Sequence, residues 1–278
     1  GAEPISLPAT PGVGAYGIVD ALGEGVSRLA VGDAVLPIGG GLWADTVVVH
    51  ERMAPKAPAG GDPAQTAMLR ANPGTAHLML TTLVDLKPGD WIVQNAANSA
   101  VGQLIIRFAH AMGLHSVNIV RRADVVEELR REGADAVIVE GEVPDLASAI
   151  AEAADAAPRL ALDAVGGAQT NALAHSVVQG GTVAVYGLLS GEQSRVDARD
   201  LVFRDVRLRG FWLAEWYQSA SPEAIRDLHD LLEAGLASGQ IHTEIAARYP
   251  LSRVKEAVAH AAQGGRDGKI ILTGEHDA

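Results

Sequence analysis

Residues 90–122, DWIVQNAANSAVGQLIIRFAHAMGLHSVNIVRR, change hydrophobic period twice within one run. Residues 91–93 form a short continuous apolar stretch, the kind a strand buried on both faces requires. From Ala100 onward, Val101, Leu104, Ile105, Phe108, Ala109 and Met112 recur at three- and four-residue steps and give one apolar helix face. Gly113 then ends the helix in the left-handed conformation that glycine adopts most cheaply, and residues 116–120 make a second strand. Strand, small-residue turn, helix and strand in this order predict a parallel βαβ unit. Its turn lets a pyrophosphate approach unsatisfied backbone N–H groups at the positive end of the helix dipole. The same unit also occurs with no ligand, so the pattern alone leaves both readings open.

The usual glycine fingerprint, G-x-G-x-x-G, is mostly absent. Only Gly102, near its third position, is present. Ala97, Asn98, Ser99 and Ala100 stand where the earlier glycines would be; all are small, and the Asn98 and Ser99 side chains can hydrogen-bond phosphate. Nineteen positions beyond Gly102, where an acidic residue would hold a ribose 2′-hydroxyl, the chain has Arg121 followed by Arg122. A carboxylate would repel a 2′-phosphate and a guanidinium would bind it, so this spacing points to NADPH rather than NADH. Two arginines at a strand end also suit a solvated cap.

The alternation continues downstream. Strands are expected over residues 136–139, 159–165, 182–186 and 206–212, and helices over residues 146–156 and 170–179, with Asp124 capping a further helix that ends at Gly133. With the first two strands this makes six, in one doubly wound parallel sheet of an α/β protein. Ligands of such sheets lie beyond the strands' carboxyl ends. The loops at Val165, Gly166 and Gly167 and at Tyr186, Gly187, Leu188 and Leu189 therefore border the nicotinamide half of a cofactor, or else are ordinary glycine turns. Phe211, Trp212 and Leu213 end the last strand with an apolar edge, which more often packs or pairs with another subunit than binds a cofactor.

Residues 1–70 read differently. Short strands are expected over residues 18–22, 34–38 and 46–50, with Gly32-Asp33 and the glycines at 39–41 between them and a loop over residues 55–63. Pro73 after Asn72 predicts a turn, followed by a helix from Thr75. Ser221-Pro222 opens a helix reaching Gly239, with proline in its tolerated first-turn position. Residues 249–263 and a strand over 269–273 return the chain to the β-rich part. Two domains follow: residues 71–219 for the nucleotide, and residues 1–70 with 220–278 for the substrate.

The balance of 22 basic against 34 acidic side chains, a formal charge of −12, includes no basic block dense enough to neutralise a phosphate backbone. Nucleic acid and anionic membrane are thus poor partners, and the chain is expected in the cytoplasm. With no cysteine, disulfides, thiol nucleophiles and cysteine-bound zinc are excluded. The nine histidines show no metal-ligand spacing, so no metal is expected. His77 is read as a structural imidazole rather than a proton relay.

QNAANSAVGQ (residues 94–103), NIVRR (118–122), LALDAVGG (160–167), GGTVAVYG (180–187) and LRGFWL (208–213) together resemble the zinc-free 2-enoyl thioester reductases of the medium-chain dehydrogenase/reductase superfamily. The resemblance runs in order along nearly the whole chain. It implies a Rossmann-type nucleotide domain beside a GroES-like β-rich substrate domain, LPATPGVGAYGIV from Leu7 supplying the latter's first strand. It also implies NADPH-dependent reduction of an enoyl thioester carried on coenzyme A or acyl carrier protein. A zinc-free quinone or enone reductase and a non-catalytic NADPH-binding protein are the alternatives. Implied cofactor contacts are Asn72 near the nicotinamide, Asn98, Ser99, Ala100 and Val101 in the turn, and Arg121, Arg122 and Ala123 beyond the second strand. Tyr186, Gly187, Leu188 and Leu189 follow, with Phe211, Trp212 and Leu213, which in the family also form a dimer edge, and Lys269, which reaches the 2′-phosphate. Where zinc relatives carry a histidine–glutamate pair, this chain has Gly14-Ala15. The family's catalytic tyrosine falls at or just before Gly1, with the family's preceding residues absent, so the substrate domain is expected to be incomplete and no catalytic residue is assigned; Tyr16 aligns with an apolar position and packs in the β-rich part.

Overall fold

The computed structural model describes residues 7–263, 265 and 268–274. The chain divides into two compact units, Gly1–Ala71 with Arg226–Ala278, and Asn72–Ile225.

In the first unit, β1 (Gly17–Ile18) pairs antiparallel with β2 (Ala34–Val35). Both are shorter than their alternating patterns suggest. Beyond β2 the backbone turns to a different neighbour, with Leu36 N donating to Pro55 O (2.9 Å) and Ile38 N to Met53 O (2.7 Å). The strand expected over residues 46–50 does not form, and Val48 in its middle is fully exposed. Alternation supplies the faces of a strand but not the ladder partner, and among the described residues that stretch has none. The residues after Leu7 expected as a first strand are likewise irregular before Gly17. Inside the expected 55–63 loop the chain instead prepares α1 (Pro63–Met68), where the Asp62 carboxylate accepts from Gln65 N at 2.9 Å and proline fills the first turn.

The second unit opens with α2 (Asn72–Thr82). The turn expected at Asn72-Pro73 is its first turn, because proline sits where the missing N–H has no helical partner in any case. There follow β3 (Trp91–Gln94), α3 (Ala100–Ala111), β4 (His115–Val120), α4 (Val126–Arg131), β5 (Ala136–Val139), α5 (Leu146–Ala153), β6 (Leu160–Asp163), α6 (Ala168–Ser176), β7 (Thr182–Val185), α7 (Ala198–Arg204), β8 (Arg207–Gly210) and α8 (Leu213–Ser219). All six strands are parallel, in the order β5-β4-β3-β6-β7-β8. The order reverses between β3 and β6, the switch point at which such sheets open a crevice. Asp124 is not the cap expected of it. It lies within the 3-10 turn Ala123–Val125 and its carboxylate faces Arg122 at 3.5 Å.

Apolar side chains fill both faces of this sheet. Val93, Val117, Ile119 and Val183 pack with Ile150 of α5 and Leu173 of α6, while Val120 packs with Ile106 of α3 and Leu129 of α4. All of these are at most 2% exposed. Burying such a side chain contributes about 1.5–3 kcal/mol, which is why the continuous apolar runs of the sequence become strands here.

The chain leaves this unit within α9 (Pro222–Ala237). The first unit is completed by β9 (Ile245–Pro250), α10 (Val254–Ala262) and β10 (Lys269–Thr273), with β10 parallel to β9. No helix among the described residues is long and apolar enough to cross a membrane.

Candidate functional site

Because the six strands are parallel, their carboxyl ends share one edge of the sheet, and the loops that follow them converge there. After β3 the backbone makes a tight reversal in which Ala96 takes a positive φ of 48°. Ser99 then caps α3, its Oγ accepting from Gly102 N at 3.1 Å. Gln103 N donates to Ser99 O. The N–H groups of Ala100 and Val101 are left without a partner among the described residues and point out of the helix start. A Cβ on Gly102 would lie 2.5 Å from Ala97 O, so this position needs glycine for the helix to sit so close to the turn. The small residues that replace the missing glycines thus build the same anion-receiving start of helix, with Ala96 carrying the backbone strain that glycine would avoid.

Below the turn lies a buried polar network that is not evident from the sequence pattern. Gln94 Nε2 donates to Gly102 O at 2.9 Å and to Asn118 Oδ1 at 2.8 Å, and Asn118 Nδ2 donates to Ser116 Oγ at 2.9 Å. Asn95 Nδ2 donates across the switch point to Asp163 Oδ1 at 2.7 Å, and Asn95 Oδ1 accepts from Ala164 N at 2.7 Å. The available signal was a polar residue inside each apolar strand run: Gln94, Asn118 and Asp163. All three are fully buried.

Arg121 follows β4 directly and is exposed; Arg122 is half-buried, and Ala123 is exposed. The loop after β7 is tied to the end of β6, with Tyr186 N donating to Asp163 O (2.9 Å), Leu189 N to Ala164 O (3.1 Å) and Ser190 Oγ to Val165 O (2.7 Å). Gly187 is required there, since a Cβ would meet Ala164 O at 2.6 Å. Leu188 and Leu189 project outward, 72% and 70% exposed. The Tyr186 hydroxyl is buried toward the Ser99 hydroxyl, which acts to lower its pKa. Burial first, and the Asp163 charge second, push its phenol well above the usual range.

Beyond β8, Phe211 N still donates to Val185 O at 2.9 Å, but the chain then turns. Trp212 caps α8 and Leu213 begins it, so the expected strand end at 211–213 is a strand-to-helix corner. Val185, Gly210, Phe211, Trp212 and Trp216 line a recess of about 470 Å³ together with the charged Arg209 and Glu215.

The unit therefore brings together Asn98 through Val101, Arg121 through Ala123, Tyr186 through Leu189, and Phe211 with Trp212. Asn72 is half-buried at the start of α2 and does not follow a strand. Lys269 opens β10 in the other unit. Gly1, where the family tyrosine was expected to fall, lies outside the described residues, and Tyr16 is half-buried. The His77 ring meets Phe108 edge-on at 5.8 Å, and burial holds its pKa below the ordinary value, the setting of a packed neutral imidazole. Among the described residues no group of three or more His, Cys, Asp or Glu side chains is placed to hold a metal ion.

A nucleotide fits this edge: the helix start at Ala100 and Val101 is open, and Gly102 and Gly187 let the backbone behind it pack closer than any larger residue would allow. Comparison with known proteins agrees. A family profile described as "Zinc-binding dehydrogenase" matches residues 100–233. An NADPH:quinone reductase by assignment, from Bacillus thuringiensis, has the same fold, with a TM-score of 0.87, 30% identity, and coverage of 98% of this chain and 83% of its own. The mitochondrial 2-enoyl thioester reductase Etr1p/Etr2p heterodimer of Candida tropicalis superposes with a TM-score of 0.83 at 24% identity, covering 95% of this chain and 80% of its own. The sheet order and these likenesses define a medium-chain dehydrogenase/reductase. The human protein named "Enoyl-[acyl-carrier-protein] reductase, mitochondrial" is 34% identical over 275 residues, which are 96% of this chain and 73% of that protein. The chain belongs to the zinc-free 2-enoyl thioester reductase family.

Proposed function

We propose that the protein is an NADPH-dependent reductase of the 2,3 double bond of trans-2-enoyl thioesters. The observation that carries this is the helix start at Ala100 and Val101 with the exposed Arg121 beyond the neighbouring strand, on a chain of this family. In this reading NADPH, when bound, supplies a hydride to the β-carbon of the enoyl group, while a proton is added at the α-carbon. The chain's own residues bind and orient. The Ala100 and Val101 N–H groups hold the diphosphate, supported by Asn98 and Ser99, and Arg121 with Arg122 and Ala123 receives the 2′-phosphate. The loops at 165–167 and 186–189 border the nicotinamide. Asn72 and Lys269 remain proposed contacts on the strength of the resemblance. The recess at Phe211, Trp212 and Trp216 is proposed to take the acyl chain against its aromatic side, with Arg209 and Glu215 also lining it.

The first unit is assigned to the substrate domain. The thioester is carried on coenzyme A or acyl carrier protein. A homodimer in the cytoplasm completes the reading. The dimer is supported by β8, an edge strand with all four residues exposed, flanked by exposed Val202, Phe203 and Trp212. Cell fractionation tests the compartment against the mitochondrial location in the human relative's name.

A second reading, a quinone or free-enone reductase, is favoured by the identity to the Bacillus protein. Following NADPH absorbance with crotonyl-CoA and with a quinone separates them. Oxidation with the thioester alone supports the proposal, and oxidation with the quinone alone replaces it.

A further inference from the structure

Asp163 closes β6 at the switch point with no exposure to solvent. Its carboxylate is surrounded by donors. Oδ1 accepts from Asn95 Nδ2 (2.7 Å), Val165 N (2.9 Å) and Gly166 N (2.9 Å), and Oδ2 accepts from Thr170 Oγ1 (2.6 Å). Every one of these partners is neutral. Among the described residues no lysine, arginine or histidine forms an ion pair with it. Four hydrogen bonds make a buried carboxylate tolerable without cancelling its charge. The field of that charge extends to the next loop, where it contributes to the raised pKa of the Tyr186 phenol.

We propose that the buried carboxylate of Asp163 makes this site hold the oxidised, positively charged nicotinamide more tightly than the reduced one, and so favours hydride donation from NADPH. The proposal rests on the reading above that the nicotinamide lies against the loops following β6 and β7. Dihydronicotinamide is neutral and the oxidised ring carries one positive charge, so an uncompensated anion in a low-dielectric wall distinguishes the two forms. Asp163 also fixes the Val165 and Gly166 backbone, which any structural latch would do. The charge is the part that a latch does not need.

Asp163→Asn separates these roles. The amide oxygen can occupy the Oδ1 position and keep three donors, while the amide nitrogen faces the Thr170 hydroxyl, which can accept. NADPH affinity is measured by fluorescence titration, and NADP+ affinity by competition against it. The variant is expected to lose about three- to tenfold in NADP+ affinity, with NADPH changed less than about twofold. Asp163→Ser, which removes the charge without introducing an amide, should shift the ratio of the two affinities in the same direction. Thr170→Val, which keeps the charge and removes one donor, should leave the ratio as in wild type whatever it does to the melting temperature. Equal losses for both nucleotides, or an unchanged ratio in both Asp163 variants, would overturn the proposal. Wild-type protein that binds neither nucleotide would instead refute the NADPH reading, and the proposal with it.

Discussion

Residues 91–120 and residues 17–53 contain similar densities of valine, leucine and isoleucine, yet the fold uses them in opposite ways. In the first stretch β3 and β4 lie inside a parallel sheet, with Ile92, Val93, Leu104, Ile105, Ile106 and Val117 inaccessible to solvent. In the second, β1 and β2 are two residues each, and Ile18, Val31, Ile38 and Val48 are exposed. The difference lies in where the backbone hydrogen bonds go. A strand between two parallel neighbours and two helix layers is specified by its own apolar run, whereas a short antiparallel strand depends on partners that its own sequence does not name.

The comparison can be broken most easily by side-chain truncation. Leu104→Ala should destabilise the second unit by about 2–5 kcal/mol in urea denaturation, and Val48→Ala in the first should change stability by less than about 0.5 kcal/mol. Similar losses at both sites would mean that the two regions are packed alike. Glycine substitution sharpens the contrast. Gly102→Ala pushes a methyl into Ala97 O and should cost about 1–3 kcal/mol together with nucleotide affinity. Gly17→Ala meets nothing within 4 Å and should be close to neutral by the same measurement.

A binding experiment asks whether the buried region also carries the specificity. Arg121→Ala should weaken NADPH by roughly 1.5–3 kcal/mol, the size of a charge-assisted hydrogen bond, and leave NADH unchanged. Equal losses for both nucleotides would remove Arg121 from the 2′-phosphate.

The smallest effect concerns pH and the first unit. Burial, and secondarily the charge of Arg70, hold the His229 imidazole at about 4 instead of its ordinary 6.5. The unfolded chain therefore takes up a proton at this residue before the folded one does. The stability that His229 contributes above pH 6.5 is lost as pH falls toward 4. Glu233 works against this, because burial pushes its carboxyl up and the folded state then binds the proton first. Melting curves across this range should flatten in His229→Gln and steepen in Glu233→Gln.

The same contrast explains what could be read in advance. The inner strands of the sheet were legible because each apolar run is buried on both faces, and the glycine ending α3 and the position of Arg121 because each follows from local pattern alone. Residues 46–50 were misread because alternation says nothing about pairing. Asp124 and the corner at Trp212 were misread because an acid near a helix start, or an apolar run near a strand end, fits two local geometries that only packing separates. The network of Gln94, Asn95, Asn118 and Asp163 was passed over because single polar residues inside apolar runs gave no sign that they would meet across strands 24 and 68 positions apart in sequence.

A crystal structure of the protein grown with NADPH tests the central claim most directly. The expected result is a diphosphate at the N–H groups of Ala100 and Val101, with the 2′-phosphate against the Arg121 guanidinium. An empty crevice, or a nucleotide whose phosphates lie away from both, would contradict it.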